Sequence, residues 1–291
     1  METEMETVTG MAATETERFA VILPAAGRSH RFSCGAGDGE ETLGGAVMKK
    51  VCVELLGRPV WSWAAEIFAQ RNDVARILLV VSPEDHELFE RQRDTLVAAG
   101  HSSLKRVETV HGGTERGDSV RNALQRLNET PHGGVPHHPS DFGWVAIHDA
   151  ARPCVTPDVI DRVFAAAVAG GAAILAVPVA ATLKRIGGEP SGGGDSVPGV
   201  EWIGATISRT ELREAQTPQV FRRSLFEAAY AEFERIFADG ETPTDDARLM
   251  ERCGIPVAMI RGTPMNLKIT TPDDLHLARA ILRNRRTEDI R

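Results

Sequence analysis

Short apolar runs alternate with amphipathic helical patterns along most of this chain, and that alternation constrains the fold more than any other feature. Strand-like runs fall at 19–24, 76–82, 105–110, 143–148, 172–178 and 256–261, and helical patterns at 59–70, 84–99, 116–127, 157–169, 222–237, 244–253 and 273–285. Parallel strands need a crossover long enough to hold a helix, so repeated strand–helix units predict an α/β fold: a mostly parallel sheet with helices on both faces, three layers in all. Ser82-Pro83, Thr156-Pro157 and Thr271-Pro272 each place a proline just after a hydroxyl that can cap a helix.

Two segments break the rhythm. Residues 129–142 form a polar, Pro/Gly-rich loop. Residues 179–210 hold two β-like stretches around a glycine-rich tip, Ser191-Gly-Gly-Gly-Asp195. They predict a hairpin arm that projects from the body, and an isolated hairpin needs a surface to pack on. A second copy of the chain is the natural candidate, which predicts a homodimer. The expected organisation is a disordered tail over 1–18, one domain over 19–286 that includes the 179–210 arm, and a short tail over 287–291.

Composition excludes several classes. The formal charge of -8 argues against general nucleic-acid binding. No apolar run reaches the roughly 18–20 residues of a membrane span, and residues 1–18 lack the basic and apolar regions of a signal peptide. Four widely spaced cysteines without a CxxC pair fit a reducing cytoplasm and give no zinc pattern.

Open α/β sheets place their chemistry at the C-terminal edge of the strands, and three strand ends carry suitable residues. Strand 19–24 runs into Pro24-Ala25-Ala26-Gly27, where small side chains let a ligand approach the backbone amides. Arg28, Arg31, Lys49 and Lys50 follow, a local positive field suited to a triphosphate, although a solvated basic loop fits as well. Strand 105–110 runs into His111-Gly-Gly-Thr-Glu-Arg-Gly-Asp-Ser119. There Ser119 could meet the edge of a base, while Asp118 or Ser119 equally fits as a helix cap. Strand 143–148 ends in His148-Asp-Ala-Ala-Arg-Pro153, which alone also reads as a strand followed by a turn capped by Asp149.

Together these motifs resemble the 2-C-methyl-D-erythritol 4-phosphate cytidylyltransferases of the non-mevalonate isoprenoid pathway. The resemblance continues in order through Pro178-Val-x-x-Thr-Leu-Lys-Arg185, Ser208-Arg209, Gln216-Thr-Pro-Gln219, Thr244-Asp245 and Asn266-Leu-Lys268. It implies a Rossmann-like nucleotidyltransferase sheet and transfer of a cytidylyl group from CTP to a small polyol phosphate, with Mg²⁺ and release of pyrophosphate. It implies that Arg31 and Lys50 stabilise charge on the α-phosphate, and that Arg209 and Lys268 hold the incoming phosphate. Pro24, Ala25, Ala26, Gly27, Gly113, Ser119 and Asp149 are the expected CTP contacts. Asp149, Arg152, Thr182, Arg209, Thr217 and Lys268 are the expected contacts to the sugar phosphate. Mg²⁺ would be held mainly by the triphosphate, with Asp149 as a protein ligand.

Some positions depart from the family pattern. Its usual Pro-Lys-Gln is Lys49-Lys50-Val51 here, so Lys49 competes with Lys50 for the catalytic role. Ala181 stands where an aspartate is expected, and the 32–48 loop is long and glycine-rich. A ribitol 5-phosphate cytidylyltransferase on the same fold is the nearest alternative. A nucleotide-binding protein without activity is disfavoured by the joint presence of Arg31, Lys50, Arg209 and Lys268, and an NAD-dependent oxidoreductase by the lack of GxGxxG after the first strand.

Overall fold

A computed structural model describes residues 17–27, 49–129, 142–187 and 199–288. The expected 1–18 tail apart from its last two residues, the 32–48 loop, Arg28 and Arg31 lie outside these residues. So do most of the 129–142 loop and the tip of the arm.

In chain order the elements are β1 (Phe19–Pro24), β2 (Glu54–Leu55), β3 (Arg58–Pro59), α1 (Val60–Ala69), β4 (Val74–Val81), α2 (His86–Ala98), β5 (Val107–His111), α3 (Arg116–Leu127), β6 (Trp144–Ile147), α4 (Pro157–Gly170) and β7 (Ala172–Pro178). There follow β8 (Leu183–Ile186), β9 (Ile203–Ile207), β10 (Arg213–Arg222), α5 (Arg223–Ala231), α6 (Phe233–Ile236), α7 (Asp246–Arg252), β11 (Ala258–Arg261) and α8 (Pro272–Glu288). Seven strands form one sheet in the order β11-β7-β10-β6-β1-β4-β5. All neighbours run parallel except β10, which is antiparallel to both β6 and β7.

The alternation of side chains along the strands divides the core into two layers. Val21 and Leu23 of β1 and Ile77 and Leu79 of β4 join Trp61 and Phe68 of α1, Phe89 of α2 and Phe164 of α4 on one face. Ala20, Ile22, Leu78 and Val80 point the other way, onto Val120 and Leu124 of α3, Phe226 and Tyr230 of α5 and Leu249 of α7. β1 and β4 are buried along nearly their whole length, as expected of central strands covered on both faces.

The elements that differ from expectation have local causes. β10 combines a buried Gln216-Thr-Pro-Gln219 with a register break between Gln216 and Gln219, so no apolar alternation announces it. The helix expected over 222–237 leaves helical geometry at Glu232 and divides into α5 and α6. There Phe233 stacks on Tyr230, with ring centroids 5.6 Å apart, and packing overrides helix propensity. Of the three expected caps only Thr271 serves a helix start: its hydroxyl accepts from Asp274 N at 3.3 Å, while the Asp274 carboxylate accepts from Thr271 N at 2.8 Å. Ser82 and Thr156 stand at N-cap positions without side-chain caps. The last helix runs two residues into the expected C-terminal tail.

β8 and β9 pair antiparallel as the predicted arm, separate from the main sheet. Its Ile186, Trp202 and Ile203 are 60, 43 and 62 % exposed.

Candidate active site

β1, β4, β5 and β6 deliver their C-terminal ends to one cleft of about 730 Å³. Pro24 to Gly27, Lys50, Gly112, Gly113, Ser119, Asp149 and Lys268 all line it, so five separate stretches of the sequence meet in space. The turns after β1 and β5 are pinned to β4: Ala25 N donates to Val80 O at 2.7 Å, and Gly112 N to Val81 O at 2.7 Å. Glycine is required where they approach each other. A Cβ on Gly112 would lie 2.7 Å from Ala26 Cβ and 2.8 Å from Ser119 Oγ, and one on Gly113 would collide with Asp118.

The α3 start realises the capping reading of its sequence through Asp118. Glu115 and Asp118 form a reciprocal capping box. Ser119 is buried beside it; its hydroxyl accepts from Gly113 N at 3.1 Å and donates to Glu115 O at 3.1 Å.

Asp149 is the electrostatic centre. Arg152 Nε and Lys268 Nζ each lie 3.1 Å from its Oδ2. Burial alone would raise its pKa, but Lys268, Arg152 and Arg116 together hold it well below the usual carboxylate range. His148, fully buried, fixes the backbone beneath it. Its Nε2 donates to Arg152 O at 3.2 Å, which makes Nδ1 the acceptor for the Thr217 hydroxyl at 3.1 Å, while Thr217 Oγ1 accepts from Asp149 N at 3.0 Å. Burial lowers the histidine to about 4, against the pull of Asp149, so the ring is neutral near pH 7. Arg152 also donates to Asn266 O at 2.7 Å, Asn266 Nδ2 to Thr217 O at 2.8 Å, and Ile269 N to Ala151 O at 2.9 Å. These bonds lock the His148–Pro153, Gln216–Gln219 and Asn266–Lys268 motifs into one unit and place Lys268 over Asp149.

The two candidate lysines separate cleanly. Lys50 lines the cleft from a 3-10 turn over Lys50–Cys52, seated by buried Val51 and Cys52. The Lys49 ammonium is instead paired with Asp85 at 2.5 Å and donates to Ser82 Oγ at 2.6 Å and Ala26 O at 3.3 Å.

Arg116 is a cleft residue to which the sequence reading assigned no role. It donates to Asp246 Oδ2 at 2.6 Å; Asp246 is 1 % exposed and also accepts from Tyr230 at 2.7 Å. Gln219 accepts from Asp246 N and Ala247 N and donates to Asp245, linking the Gln216–Gln219 and Thr244-Asp245 motifs. One signal was available: an arginine at the first position of a helix opposes the helix dipole, and its placement needs another cause. Glu84 and Glu115 also line the cleft, with Ser82 and Thr114.

A family model described as 2-C-methyl-D-erythritol 4-phosphate cytidylyltransferase matches residues 19–284. The chain belongs to this family. It is 39 % identical to the 2-C-methyl-D-erythritol 4-phosphate cytidylyltransferase of Rhodopirellula baltica, covering 92 % of this chain and 96 % of that protein. Identity to the protein of that name from Acidobacterium capsulatum is 36 %, over 92 % of this chain and 98 % of the relative. The crystal structure of the 2-C-methyl-D-erythritol 4-phosphate cytidylyltransferase from Thermus thermophilus superposes with a TM-score of 0.61 at 28 % identity, covering 91 % of this chain and 99 % of the other.

Within the cytidylyltransferase fold, the remaining expected residues that are described do not line the cleft. Thr217 is buried beneath Asp149, and Arg152 is engaged with Asp149 and Asn266; neither lines the cleft. Thr182 and Arg209 are exposed at the base of the arm and do not line the cleft of their own chain. Arg31 lies outside the described residues.

Proposed function

We propose that this cleft carries out the reaction of the family, cytidylyl transfer from CTP to 2-C-methyl-D-erythritol 4-phosphate, giving 4-diphosphocytidyl-2-C-methyl-D-erythritol and pyrophosphate. The observation that carries the reading is the convergence of Lys50 and the Asp149–Lys268 pair on one cleft walled by two glycine turns. A phosphate oxygen of the sugar attacks the α-phosphorus of CTP, a new P–O bond forms, and the bond to the bridging oxygen breaks to release pyrophosphate. The nucleophile is already anionic, so no general base is needed. Catalysis is positioning plus stabilisation of charge.

The roles rest on placement in the cleft where a residue lines it, and on the family resemblance for Arg31 and Thr182. The small residues of Pro24 to Gly27, with Gly113 and Ser119, take the nucleotide. Lys50, and Arg31 from beyond the described residues, stabilise the five-coordinate phosphorus. Lys268 holds the incoming phosphate, aligned by Asp149. Thr182, Thr217 and Arg152 complete the sugar side, the last two through Asp149.

The chemistry calls for Mg²⁺, and the donor set fits a cation carried by the substrate. Among the described residues no group of three or more His, Cys, Asp or Glu side chains could cage a metal. Asp149, whose two basic partners both meet Oδ2, is the residue that would hold such a cation from the protein side. Mg²⁺ accepts such a site because it keeps most of its ligands as water and phosphate oxygens. Bound there, it would neutralise part of the triphosphate charge.

Arg209 acts in the cleft of a partner subunit, and residues 19–286 form one catalytic domain of a cytoplasmic homodimer. The exposed Ile186, Trp202 and Ile203 of the arm support the dimer, and the free thiols of Cys52, Cys154 and Cys253 support a reducing compartment. Mixing protomers tests the division of labour. Lys50→Ala and Arg209→Ala dimers should each turn over about 10²–10³ times more slowly than the parent, the loss typical of a transition-state donor. After exchange of subunits the mixture should recover about one quarter of the parent rate, the share of sites that random pairing leaves intact. A mixture as inactive as its components would place Arg209 in the cleft of its own chain.

A further inference from the structure

Lys49 occupies an unusual position for a residue next to a catalytic lysine. Its ammonium has three N–H donors, and the fold supplies three acceptors: Asp85 Oδ2 at 2.5 Å, Ser82 Oγ at 2.6 Å and Ala26 O at 3.3 Å. The Ser82 hydroxyl in turn donates to Asp85 Oδ2 at 2.5 Å, which closes the cluster. The side chain of Lys49 is 16 % exposed and that of Asp85 23 %, so the pair is partly screened from water. Burial would raise the Asp85 carboxyl; its bonds from Lys49 and Ser82 hold it below its ordinary value. The ammonium thus ties together three places: the nucleotide turn through Ala26, the end of β4 through Ser82, and the following 3-10 turn (Pro83–Asp85).

The Lys49 backbone is held as firmly. Its carbonyl accepts from Cys52 N at 2.8 Å, closing the turn that presents Lys50. Its φ of -64° and ψ of 135° are those of a proline just ahead of a helical turn. A lysine does not prefer that conformation over others, so the ion cluster does what a proline ring would do covalently.

We propose that Lys49 is a positioning residue: its ammonium, clamped by Asp85, Ser82 and the Ala26 carbonyl, fixes the entrance of the 50–52 turn and so sets where Lys50 presents its charge in the cleft. The proposal rests on the reading of Lys50 as the lysine that stabilises the α-phosphate. It accounts for two adjacent lysines with unequal roles, one making the site and one facing substrate. A misplaced catalytic group costs rate more than affinity, because its contact strengthens in the transition state.

Steady-state kinetics on the purified full chain with CTP, Mg²⁺ and methylerythritol phosphate test this. Lys49→Ala should lower kcat by roughly tenfold or more, the scale of a small misplacement, with both KM values within about twofold of the parent. Lys49→Pro should restore kcat to within about threefold of the parent, because the ring imposes the same φ. Asp85→Asn should act in the direction of Lys49→Ala, and combining the two should cost no more than either alone. In a Lys50→Ala background, Lys49→Ala should remove less than about a further twofold. CTP affinity and the thermal midpoint report folding of each variant. The proposal is overturned if Lys49→Ala stays within twofold of the parent. A folded Lys49→Pro as impaired as Lys49→Ala also overturns it, since the ammonium would then touch substrate itself. Additive losses from Lys49 and Asp85 overturn it even if Lys49→Pro fails to fold. A Lys50→Ala enzyme with near-parent turnover would instead sink the reading of Lys50, and the two failures are distinguishable.

Discussion

At the scale of single residues, the site is built on a neutral histidine. His148 donates to Arg152 O and accepts from Thr217, and Thr217 in turn accepts from the amide of Asp149. A second proton on the ring would put two donors against each other at Nδ1. The unfolded chain binds that proton with the ordinary value of 6.5, and the fold resists it down to about 4. The unfolded state therefore holds more protons between these values, so stability from His148 is complete above pH 6.5 and lost as pH falls to 4. The difference corresponds to about 3 kcal/mol. Denaturant unfolding at a series of pH values should show that fall, and His148→Gln should flatten it between pH 6.5 and 4. An unchanged slope in the variant would assign the pH dependence to other groups. The sequence displays His148, Asp149 and Arg152 together but does not say which faces substrate. That depends on Thr217 and Asn266, which arrive from more than 60 residues away.

At the scale of elements, the glycine turns were legible because a run of small residues just after a buried strand fits a close approach to the backbone and little else. What the sequence does not display is that the two turns touch. Gly112→Ala would drive a Cβ against Ala26 Cβ and Ser119 Oγ, so one of the turns must move. The variant should lose CTP affinity by at least about tenfold and roughly 1–3 kcal/mol of stability, as measured by calorimetric titration and thermal melting, because overlap at a packed contact displaces the backbone. Parent-like CTP affinity would show that the turns yield without consequence for the nucleotide. β10 was invisible for the opposite reason. Its buried centre is polar, and Gln219 and Thr217 serve α7 and Asp149 rather than an apolar face. Periodicity finds strands that pack on oil-like layers, and β10 is also a scaffold for the site.

At the scale of the whole molecule, an acidic chain concentrates Lys50, Arg116 and Lys268 in one cleft at the C-terminal edge of its sheet. Glu84, Glu115 and Asp149 offset these charges in number, so the described lining is balanced while the chain as a whole carries -8, and a triphosphate meets less repulsion there than elsewhere on the molecule. The arm leaves the body with apolar side chains exposed, and its Arg209 is exposed and does not line the cleft. The arm was legible from two β-like stretches around a glycine-rich tip, and its strands pair as β8 and β9. Methylerythritol and ribitol phosphates differ in carbon skeleton and in the number and placement of their hydroxyls. Sites that hydrogen-bond particular hydroxyls discriminate strongly, and those that merely accommodate them do not. The most direct measurement is pyrophosphate release by the purified chain with CTP and Mg²⁺, run in parallel with 2-C-methyl-D-erythritol 4-phosphate and with ribitol 5-phosphate. Release with the first substrate at least about 10²-fold faster than with the second is expected. Release no faster than without enzyme, or a preference for ribitol 5-phosphate, would contradict the assignment.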